Sequence, residues 1–329
     1  MLDKKNLVVL LRENYDCLKG KLIIEKYHKN VCVIISNEKK YVLKKMGGNV
    51  NDDTLKKIQD ACKRIRRCGL DSPRFINTIK GSPFFRISGE LYVLYMWIEG
   101  KTLKLGNIDN EQRTELSLRY ADVLQALSEM KKIRISSGFL WDVKSIRKQV
   151  EFMNNLKNQT VDSDIKDALE WKIYRMKCFT DEDYLIGRKV TWANTHGDYH
   201  IGQAVFFEKK IRGIIDLDCL CRMPIIYELI NCYFSTIEIS EMCNCDIEEL
   251  VDFIATFCTK FRLTVDDMRR GLNLYEQRLI TSTYPFVMFI MGDESFRDKA
   301  LLNISMAKSL QVGTGFNDIY QEGIKRLEN

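Results

Sequence analysis

Proline and long apolar runs are both scarce in this sequence. Its 329 residues contain four prolines and 18 glycines, too few for a collagen-like or linker-rich chain. The longest apolar run, Tyr284 to Met291, is far shorter than the ~20 residues that cross a bilayer. The stretch from Leu7 to Leu11 ends at Arg12 and is too short for the core of a secretory signal. We therefore expect neither a membrane partner nor export.

Paired cysteines are missing as well. Eleven cysteines is an odd number, and no two of them stand in a Cys-x-x-Cys spacing. This pattern is typical of reduced thiols in the cytoplasm, where they serve as small apolar side chains. A four-thiolate zinc site from Cys219, Cys221, Cys243 and Cys245 is the alternative, but its Cys-x-Cys pairs are closer than the usual zinc-ligand spacing.

A strong charge of either sign is also lacking. Lys and Arg total 51 against 45 Asp and Glu, which leaves a net charge of +6. This small excess does not require a nucleic-acid partner. We interpret a basic cluster on the first long predicted helix as a solvated face, with nucleic-acid binding as the alternative. The cluster consists of Lys56, Lys57, Lys63, Arg64, Arg66 and Arg67.

The texture of the chain changes near residue 98. The β-rich runs before it are Lys21–Tyr27, Val31–Ser36, Lys40–Met46, Arg74–Ile79, Phe84–Ile87 and Leu91–Ile98, around one helix from about Asp53 to Cys68. Helical periodicity dominates afterwards, with one helix predicted at about Ile226–Ser240, apart from a strand-rich stretch at 191–218. We predict an α+β chain with a small antiparallel-sheet domain at 1–97, a hinge at about 96–100 and a larger, mainly helical domain at 98–329. A cleft between two such lobes is a favoured place for a ligand.

The segment from Thr195 to Asp218 carries the most chemistry. Strands 204–207 and 211–216 are predicted to form a hairpin, which returns Asp216 to the end of the sheet where Asp198 lies. Two carboxylates and the amide of Gln203 would then meet at one end of this hairpin. Phosphoryl transfer needs such a set, because one carboxylate takes a hydroxyl proton while the other holds Mg²⁺ with an amide oxygen.

This segment resembles the protein-kinase-like small-molecule kinases, the branch of the aminoglycoside phosphotransferases and choline kinases. Their pattern is His-Gly-Asp, an Asn five residues after that Asp, and a hairpin that ends in Ile-Asp-x-Asp. His196-Gly197-Asp198, Gln203 and Ile215-Asp216-Leu217-Asp218 keep the same spacing. The resemblance implies a bilobal protein-kinase-like fold and transfer of the γ-phosphate of ATP or GTP, with Mg²⁺, to the hydroxyl of a small molecule. A buried acidic turn without catalytic function is the alternative.

The resemblance also assigns roles to residues in the segment. Asp198 is implied as the catalytic base, with His196 bracing the catalytic loop. Asp216, Gln203 and Asp218 are implied as the metal ligands.

The nucleotide would be held by residues of the first hundred. Strand alternation puts Val42 and Lys44 on one face, as in the family's third strand, where an apolar residue packs on the base and a lysine meets the phosphates. Met96, Trp97 and Ile98 would form the hinge that binds the base, a placement that rests on position alone.

Two departures from the family pattern keep a second interpretation open. Gln203 stands where the family has Asn, and no acid of the first long helix lies well on its buried stripe to brace Lys44, with Gln59 and Asp52 as the only stand-ins. A pseudokinase-like scaffold that retains the fold is therefore the alternative. The chain is also similar to spore-coat kinase-like proteins, which implies a spore-associated protein.

The stretch from Thr236 to Asp252 holds six acids and no Lys or Arg. We interpret it mainly as helix-start chemistry, in which Asp246 is the N-cap and Glu249 completes a capping box. If the block is functional, it indicates an acceptor that carries amines. The oligomeric state cannot be read from the sequence.

Overall fold

The chain forms two compact units. The computed structural model describes residues 4–28, 30–48, 50–106, 108–131, 133–139, 141–238, 241–311 and 313–327. The first unit, here called the sheet unit, comprises Met1–Thr102 and Gln203–Leu220, and the second, the helical unit, comprises Leu103–Gly202 and Cys221–Asn329. The predicted domain boundary at 96–100 stays a prediction.

Five antiparallel strands form the main sheet of the sheet unit. They are β1 (Leu22–His28), β2 (Val31–Ser36), β3 (Lys39–Lys45), β4 (Phe85–Ile87) and β5 (Glu90–Met96), in the spatial order β1-β2-β3-β5-β4. Side chains alternate along β3, so Tyr41 and Leu43 pack into the core while Val42 and Lys44 lie on the other face. The predicted face of β3 is confirmed.

Two helices complete the main part of the sheet unit. They are α1 (Lys4–Asn14) and α2 (Asp52–Arg67). Asn51 caps α2 by accepting a hydrogen bond of 2.9 Å from the backbone N–H of Thr54, which satisfies an otherwise unpaired donor of the first turn. The predicted stripe of Leu55, Ile58, Cys62 and Ile65 is buried. Burial of each large apolar side chain stabilises the fold by roughly 1.5–3 kcal/mol.

A small second sheet joins the two parts of the sheet unit. It consists of β6 (Lys101–Thr102), β8 (Ala204–Phe207) and β9 (Lys210–Ile214) in the order β6-β8-β9. Gly100 precedes β6 with φ 135°, and a Cβ at this position would lie 2.4 Å from the carbonyl oxygen of Phe206. Only glycine allows this conformation and this close approach.

The helical unit is built from ten helices in its described residues, together with the antiparallel pair β7 (Trp192–Thr195) and β10 (Cys221–Pro224). The helices are α3 (Asn110–Ser128), α4 (Val143–Gln159), α5 (Ser163–Lys177), α6 (Asp181–Leu185), α7 (Ile225–Phe234), α8 (Ile247–Cys258), α9 (Val265–Thr281), α10 (Tyr284–Ile290), α11 (Arg297–Ser309) and α12 (Gly315–Leu327). One of its cores gathers Ile165, Leu169 and Phe286 from α5 and α10. No described helix has both the length and the apolar character of a membrane span.

Two element predictions are wrong. Arg74–Ile79 is not a strand, because Phe75 makes only an isolated bridge to Tyr95 and the backbone N–H of Thr78 then turns to the carbonyl of Ser82. The helix predicted at Ile226–Ser240 ends at Phe234, and Ile239 and Ser240 lie outside the described residues.

Candidate functional site

Lys44 lies at the centre of a charged cluster in the sheet unit. Its Nζ is 2.5 Å from Asp216 Oδ1 and 2.9 Å from Asp218 Oδ2. The three side chains are 14%, 39% and 18% exposed, respectively, so solvent screens the cluster only in part. The structure therefore brings together three of the residues that the sequence singled out.

Burial and charge compete in this cluster. Burial would lower the pKa of Lys44, but the carboxylates of Asp218 and Asp216 outweigh it and hold the pKa above its usual range. Burial also raises the pKa of Asp218; attraction by Lys44 lowers it, and repulsion from Asp216 raises it further. The ammonium of Lys44 thus offsets the repulsion between the two carboxylates.

The backbone holds Asp216 in an unusual conformation. β9 ends at Ile214, and Asp216 follows with φ 64° and ψ 53°, in the left-handed region. This region costs an ordinary side chain roughly 1–2 kcal/mol and is visited most easily by Asp and Asn among the non-glycine residues. Strained conformations of this kind cluster at ligand sites.

Gln203 lies at the same end of the hairpin. Its backbone carbonyl accepts a hydrogen bond of 2.9 Å from the N–H of Ile215, the residue before Asp216. The carboxylate and amide oxygens of Gln203, Asp216 and Asp218 are the hard donors that Mg²⁺ prefers. The carboxylates of Asp216 and Asp218 already converge on one cation, the ammonium of Lys44, so these two donors fit a divalent cation. Their roles as metal ligands stay a prediction.

The brace of Lys44 comes from these two aspartates and not from α2. Asp52 forms an ion pair with Arg86 at 2.9 Å, and Asp60 forms one with Arg64 at 2.9 Å. Asp53 pairs with Lys57 of the same helix at 2.7 Å. None of the three acids of α2 is therefore committed to Lys44. Sequence reasoning found no acid of this helix well placed to brace Lys44, with Gln59 and Asp52 as the only stand-ins, and it considered Asp218 only as a metal ligand.

The predicted hinge follows β5. Met96 is 48% exposed, and its N–H donates to the carbonyl of Arg74, while the N–H of Trp97 donates to the carbonyl of Lys40. Trp97 and Ile98 are half-buried. A base bound at this hinge would have to use backbone groups other than these two N–H groups.

Asp198 lies in the loop after β7, within the helical unit. Its carboxylate is 49% exposed, and Oδ2 lies 3.7 Å from Nε2 of His200. His200 is oriented from its other side, because its Nδ1 accepts a hydrogen bond of 3.0 Å from the N–H of Gly202. His196 is fully buried and packs edge-on against Tyr199 at 6.0 Å. This burial fits a bracing role for His196 rather than contact with a substrate.

A buried carboxylate anchors this loop from α7. Glu228 is 1% exposed and accepts hydrogen bonds from the Tyr120 hydroxyl at 2.7 Å and the Tyr199 N–H at 3.2 Å. Burial raises its pKa to about 7, although Tyr120 and the backbone amides of Tyr199 and Gly197 favour the charged form. Glu228 therefore fixes the backbone on both sides of Asp198.

Sequence reasoning missed Glu228. The available signal was its position, since it is the only charged residue in the otherwise apolar α7. An acid is rarely buried without hydrogen-bond partners, so a lone acid in an apolar helix indicates that donors lie beside it.

The acidic block is partly neutralised inside the helical unit. Asp246 caps α8 as predicted by accepting from the N–H of Glu248 at 2.9 Å. The predicted capping box with Glu249 is wrong, because Glu249 instead pairs with Arg113 at 2.5 Å. Glu248 pairs with Arg326. Two of the six acids are thus committed to arginines of the same unit.

The cysteines of the alternative zinc site have different environments. Cys219 is exposed, Cys221 is buried, and Cys243 and Cys245 are partly buried. Within the described ranges, no three His, Cys, Asp or Glu side chains are grouped to hold a metal.

A family comparison now adds to this geometry. A model of the phosphotransferase enzyme family matches residues 22–255, a range that contains Lys44, Asp198, Gln203, Asp216 and Asp218. The chain belongs to the phosphotransferase enzyme family. The predictions of the family and of a phosphotransferase are therefore confirmed. No curated protein sequence matches the chain.

Solved structures show the same fold for this member of the phosphotransferase enzyme family. Amicoumacin kinase hAmiN, in complex with AMP-PNP, Ca²⁺ and Ami, is 11% identical with a TM-score of 0.63, over 97% of this chain and 97% of that chain. An aminoglycoside phosphotransferase from Alicyclobacillus acidocaldarius is 11% identical with a TM-score of 0.60, over 94% and 95%. Plasmodium vivax ethanolamine kinase is 12% identical with a TM-score of 0.60, over 89% and 83%. The predicted protein-kinase-like α+β fold is confirmed.

Proposed function

We propose that this protein transfers the γ-phosphate of ATP or GTP to a hydroxyl group of a small molecule. The observation that carries the proposal is the cluster in which Lys44 lies between Asp216 and Asp218. A lysine on a strand and two carboxylates after a hairpin form the set that binds phosphates and a divalent cation in kinases. Family membership supports the same reaction class.

The transfer has a simple balance of bonds. The acceptor hydroxyl oxygen forms a bond to the γ-phosphorus while the bond between that phosphorus and the β,γ-bridging oxygen breaks, so the nucleoside diphosphate leaves. The hydroxyl proton passes to the carboxylate of Asp198, which is exposed enough to meet an acceptor. Glu228 and Tyr199 hold the backbone beside this carboxylate, which keeps its position fixed.

Lys44 contributes charge at the phosphates. In the structure, its ammonium pairs with Asp216 and Asp218. We infer that these carboxylates and Gln203 hold Mg²⁺ with the nucleotide, which frees Lys44 for the phosphate oxygens. The metal, when bound, neutralises the charge of the transferring group. The complex of amicoumacin kinase with AMP-PNP and Ca²⁺ supports this assignment for a relative of the same fold.

The alternative is a scaffold that retains the fold without the reaction. Gln203 in place of Asn favours it, because one more methylene changes the reach of the amide while Mg²⁺ demands near-ideal octahedral geometry. Cytoplasmic location and association with spores also remain proposals that rest on the sequence.

Two measurements on the purified full-length protein separate these possibilities. Calorimetric titration with ATP and with GTP, with and without MgCl₂, should show binding that depends on Mg²⁺, and Asp216→Asn should weaken it at least about tenfold. A screen of hydroxylated metabolites should then find at least one that stimulates ATP consumption. Binding that is independent of Mg²⁺, together with no stimulated turnover, would favour the scaffold; no nucleotide binding would refute both assignments of Asp216 and Lys44.

A further inference from the structure

Arg278 is a half-buried cation in the last turn of α9. Its guanidinium lies over the ring of Phe139, 5.5 Å from the centroid. A Cβ built at Gly138 would lie 3.2 Å from Arg278 Cζ, so the side chain packs closely on the backbone at 138. The guanidinium also lies against the hydroxyl of Tyr227. These contacts fix its position without neutralising its charge.

Arg278 differs from the neighbouring arginines of the helical unit. Arg175 pairs with Glu276, Arg270 with Glu182, and Arg297 with Asp162. Among the residues with described positions, no carboxylate forms an ion pair with Arg278. A partly buried charge without a counter-charge is costly, so this arrangement suits a site that receives an anion from outside.

The charge of Arg278 also acts on a buried lysine of the same unit. Lys172 is fully buried, and its ammonium donates to the carbonyl of Ser282 at 2.5 Å and to Asn303 Oδ1 at 2.6 Å. Burial lowers the pKa of Lys172 far below its usual range, and the positive charge of Arg278 lowers it further. Lys172 is fully buried while Arg278 is half-buried, so Arg278 is the one of these two basic side chains that a ligand can reach.

Tyr227 contacts Arg278 and is followed in the chain by Glu228, which anchors the loop of Asp198. Glu228 accepts a hydrogen bond of 3.2 Å from the N–H of Tyr199 in that loop. Burial raises the pKa of the Tyr227 hydroxyl; Arg278 lowers it, while the carboxylate of Asp198 raises it. The same tyrosine packs against Phe139 with ring centroids 4.5 Å apart. The hydroxyl of Tyr227 is therefore within electrostatic reach of both Asp198, which can accept a hydroxyl proton, and Arg278, which can bind an anion.

We propose that Arg278 binds an oxyanion of the acceptor, a carboxylate or a phosphate, on the molecule whose hydroxyl meets Asp198. This inference rests on the proposed function, because it takes Asp198 as the residue that receives the hydroxyl proton. It assigns an anionic acceptor class, in contrast to the amine-bearing class that the acidic block indicated from sequence. Arginine suits this role because its planar fork matches both kinds of oxyanion.

Four matched three-carbon probes test the acceptor class directly. Glycerate and glycerol 3-phosphate carry the two oxyanions, glycerol is neutral, and 3-amino-1,2-propanediol carries an amine. Binding to the full-length protein is measured by calorimetry and ligand-observed NMR with AMP-PNP and MgCl₂ present and absent. We expect at least one oxyanion probe to bind about tenfold or more tightly than glycerol and the amine.

Variants then connect the preference to one residue. Arg278→Gln should abolish it, Arg278→Lys should retain part of it, and Arg147→Gln, which changes an exposed arginine of α4, should leave it intact. Thermal unfolding checks that each variant folds; if Arg278→Gln does not fold, the partial loss in Arg278→Lys decides. Equal or tighter binding of the amine, no binding of either oxyanion probe, or a preference unchanged in the Arg278 variants would overturn the inference. These measurements need no turnover, so a negative result here can be told apart from a negative result in the nucleotide titration.

Discussion

Replacing Glu228 by Gln tests how the catalytic loop is held. The substitution keeps the shape of the side chain but turns one acceptor oxygen into an amide donor. Because Glu228 accepts from Tyr120 and Tyr199 on its two oxygens, one of these donors would face an N–H group. A buried donor left without an acceptor costs about 1–3 kcal/mol, and the cost falls on the backbone beside Asp198 or on Tyr120.

The pH dependence of stability gives this prediction its sign. Burial raises the pKa of Glu228 to about 7 from 4.5, so the folded protein keeps a proton that the unfolded chain releases within this window. The free energy of unfolding therefore falls as pH rises through the window, by about 3 kcal/mol for this group alone. Glu228→Gln cannot release a proton, so it should be less stable than the unsubstituted protein near the acidic end and regain about 3 kcal/mol relative to it above neutral pH.

Glu276 supplies a matched control in the same unit. Burial also raises its pKa to about 7, while Arg175 opposes the shift. Its carboxylate pairs with Arg175, outside the loop of Asp198. Chemical denaturation at several pH values should show that the free energy of unfolding falls less steeply with pH in both Glu228→Gln and Glu276→Gln than in the unsubstituted protein. Only Glu228→Gln should increase amide hydrogen exchange at 197–201 and lower stimulated turnover, by about tenfold or more. Equal exchange in the two variants, or a slope unchanged in Glu228→Gln, would refute the reasoning.

Three further substitutions give separate tests. Lys44→Met leaves two neighbouring carboxylates without their cation and should lower the free energy of unfolding by about 2 kcal/mol. Excess MgCl₂ should restore most of the lost stability in thermal unfolding. A loss of stability that MgCl₂ does not reverse would contradict the assignment of the two carboxylates as metal ligands. Gly100→Ala places a Cβ 2.4 Å from the carbonyl oxygen of Phe206 and should cost about 2 kcal/mol or more in urea unfolding, so a neutral result would contradict the description of this turn. Lys172 has a pKa well below its usual range in the folded protein, so the free energy of unfolding should rise with pH between the folded and unfolded pKa values of this group. Lys172→Met should remove this rise. If the free energy of unfolding of Lys172→Met depends on pH as it does in the unsubstituted protein, Lys172 is not buried as described.

Strand alternation and turn residues predicted much of the secondary structure of the first hundred residues. Val42 and Lys44 lie on one face of β3 because alternate side chains of a strand point to opposite faces, and this needed no knowledge of long-range contacts. Arg74–Ile79 resembled a strand in composition, but its hydrogen bonds depend on where Leu94 and Ser82 lie. Local propensity cannot supply such partners.

Some residues of the candidate site could likewise be placed from local sequence, and others could not. The spacing of the hairpin placed Gln203, Asp216 and Asp218 at one end of it, since a short turn fixes the register. The support of Asp198 by Glu228 joins residues thirty positions apart and depends on tertiary packing. Similarly, α10 shows no helical periodicity in the sequence, because apolar residues lie on both its buried and its exposed faces. Phe286 is buried while Tyr284 is exposed.

The most direct test of the account is the effect of Asp198→Asn on ATP consumption stimulated by a confirmed acceptor, with nucleotide binding measured on the same sample. Asn keeps the size of the side chain but cannot take the hydroxyl proton. We expect turnover to fall by about 10²–10⁴-fold, with nucleotide affinity unchanged. Turnover equal to that of the unsubstituted protein would contradict the assignment of Asp198 as the base and the proposed reaction with it.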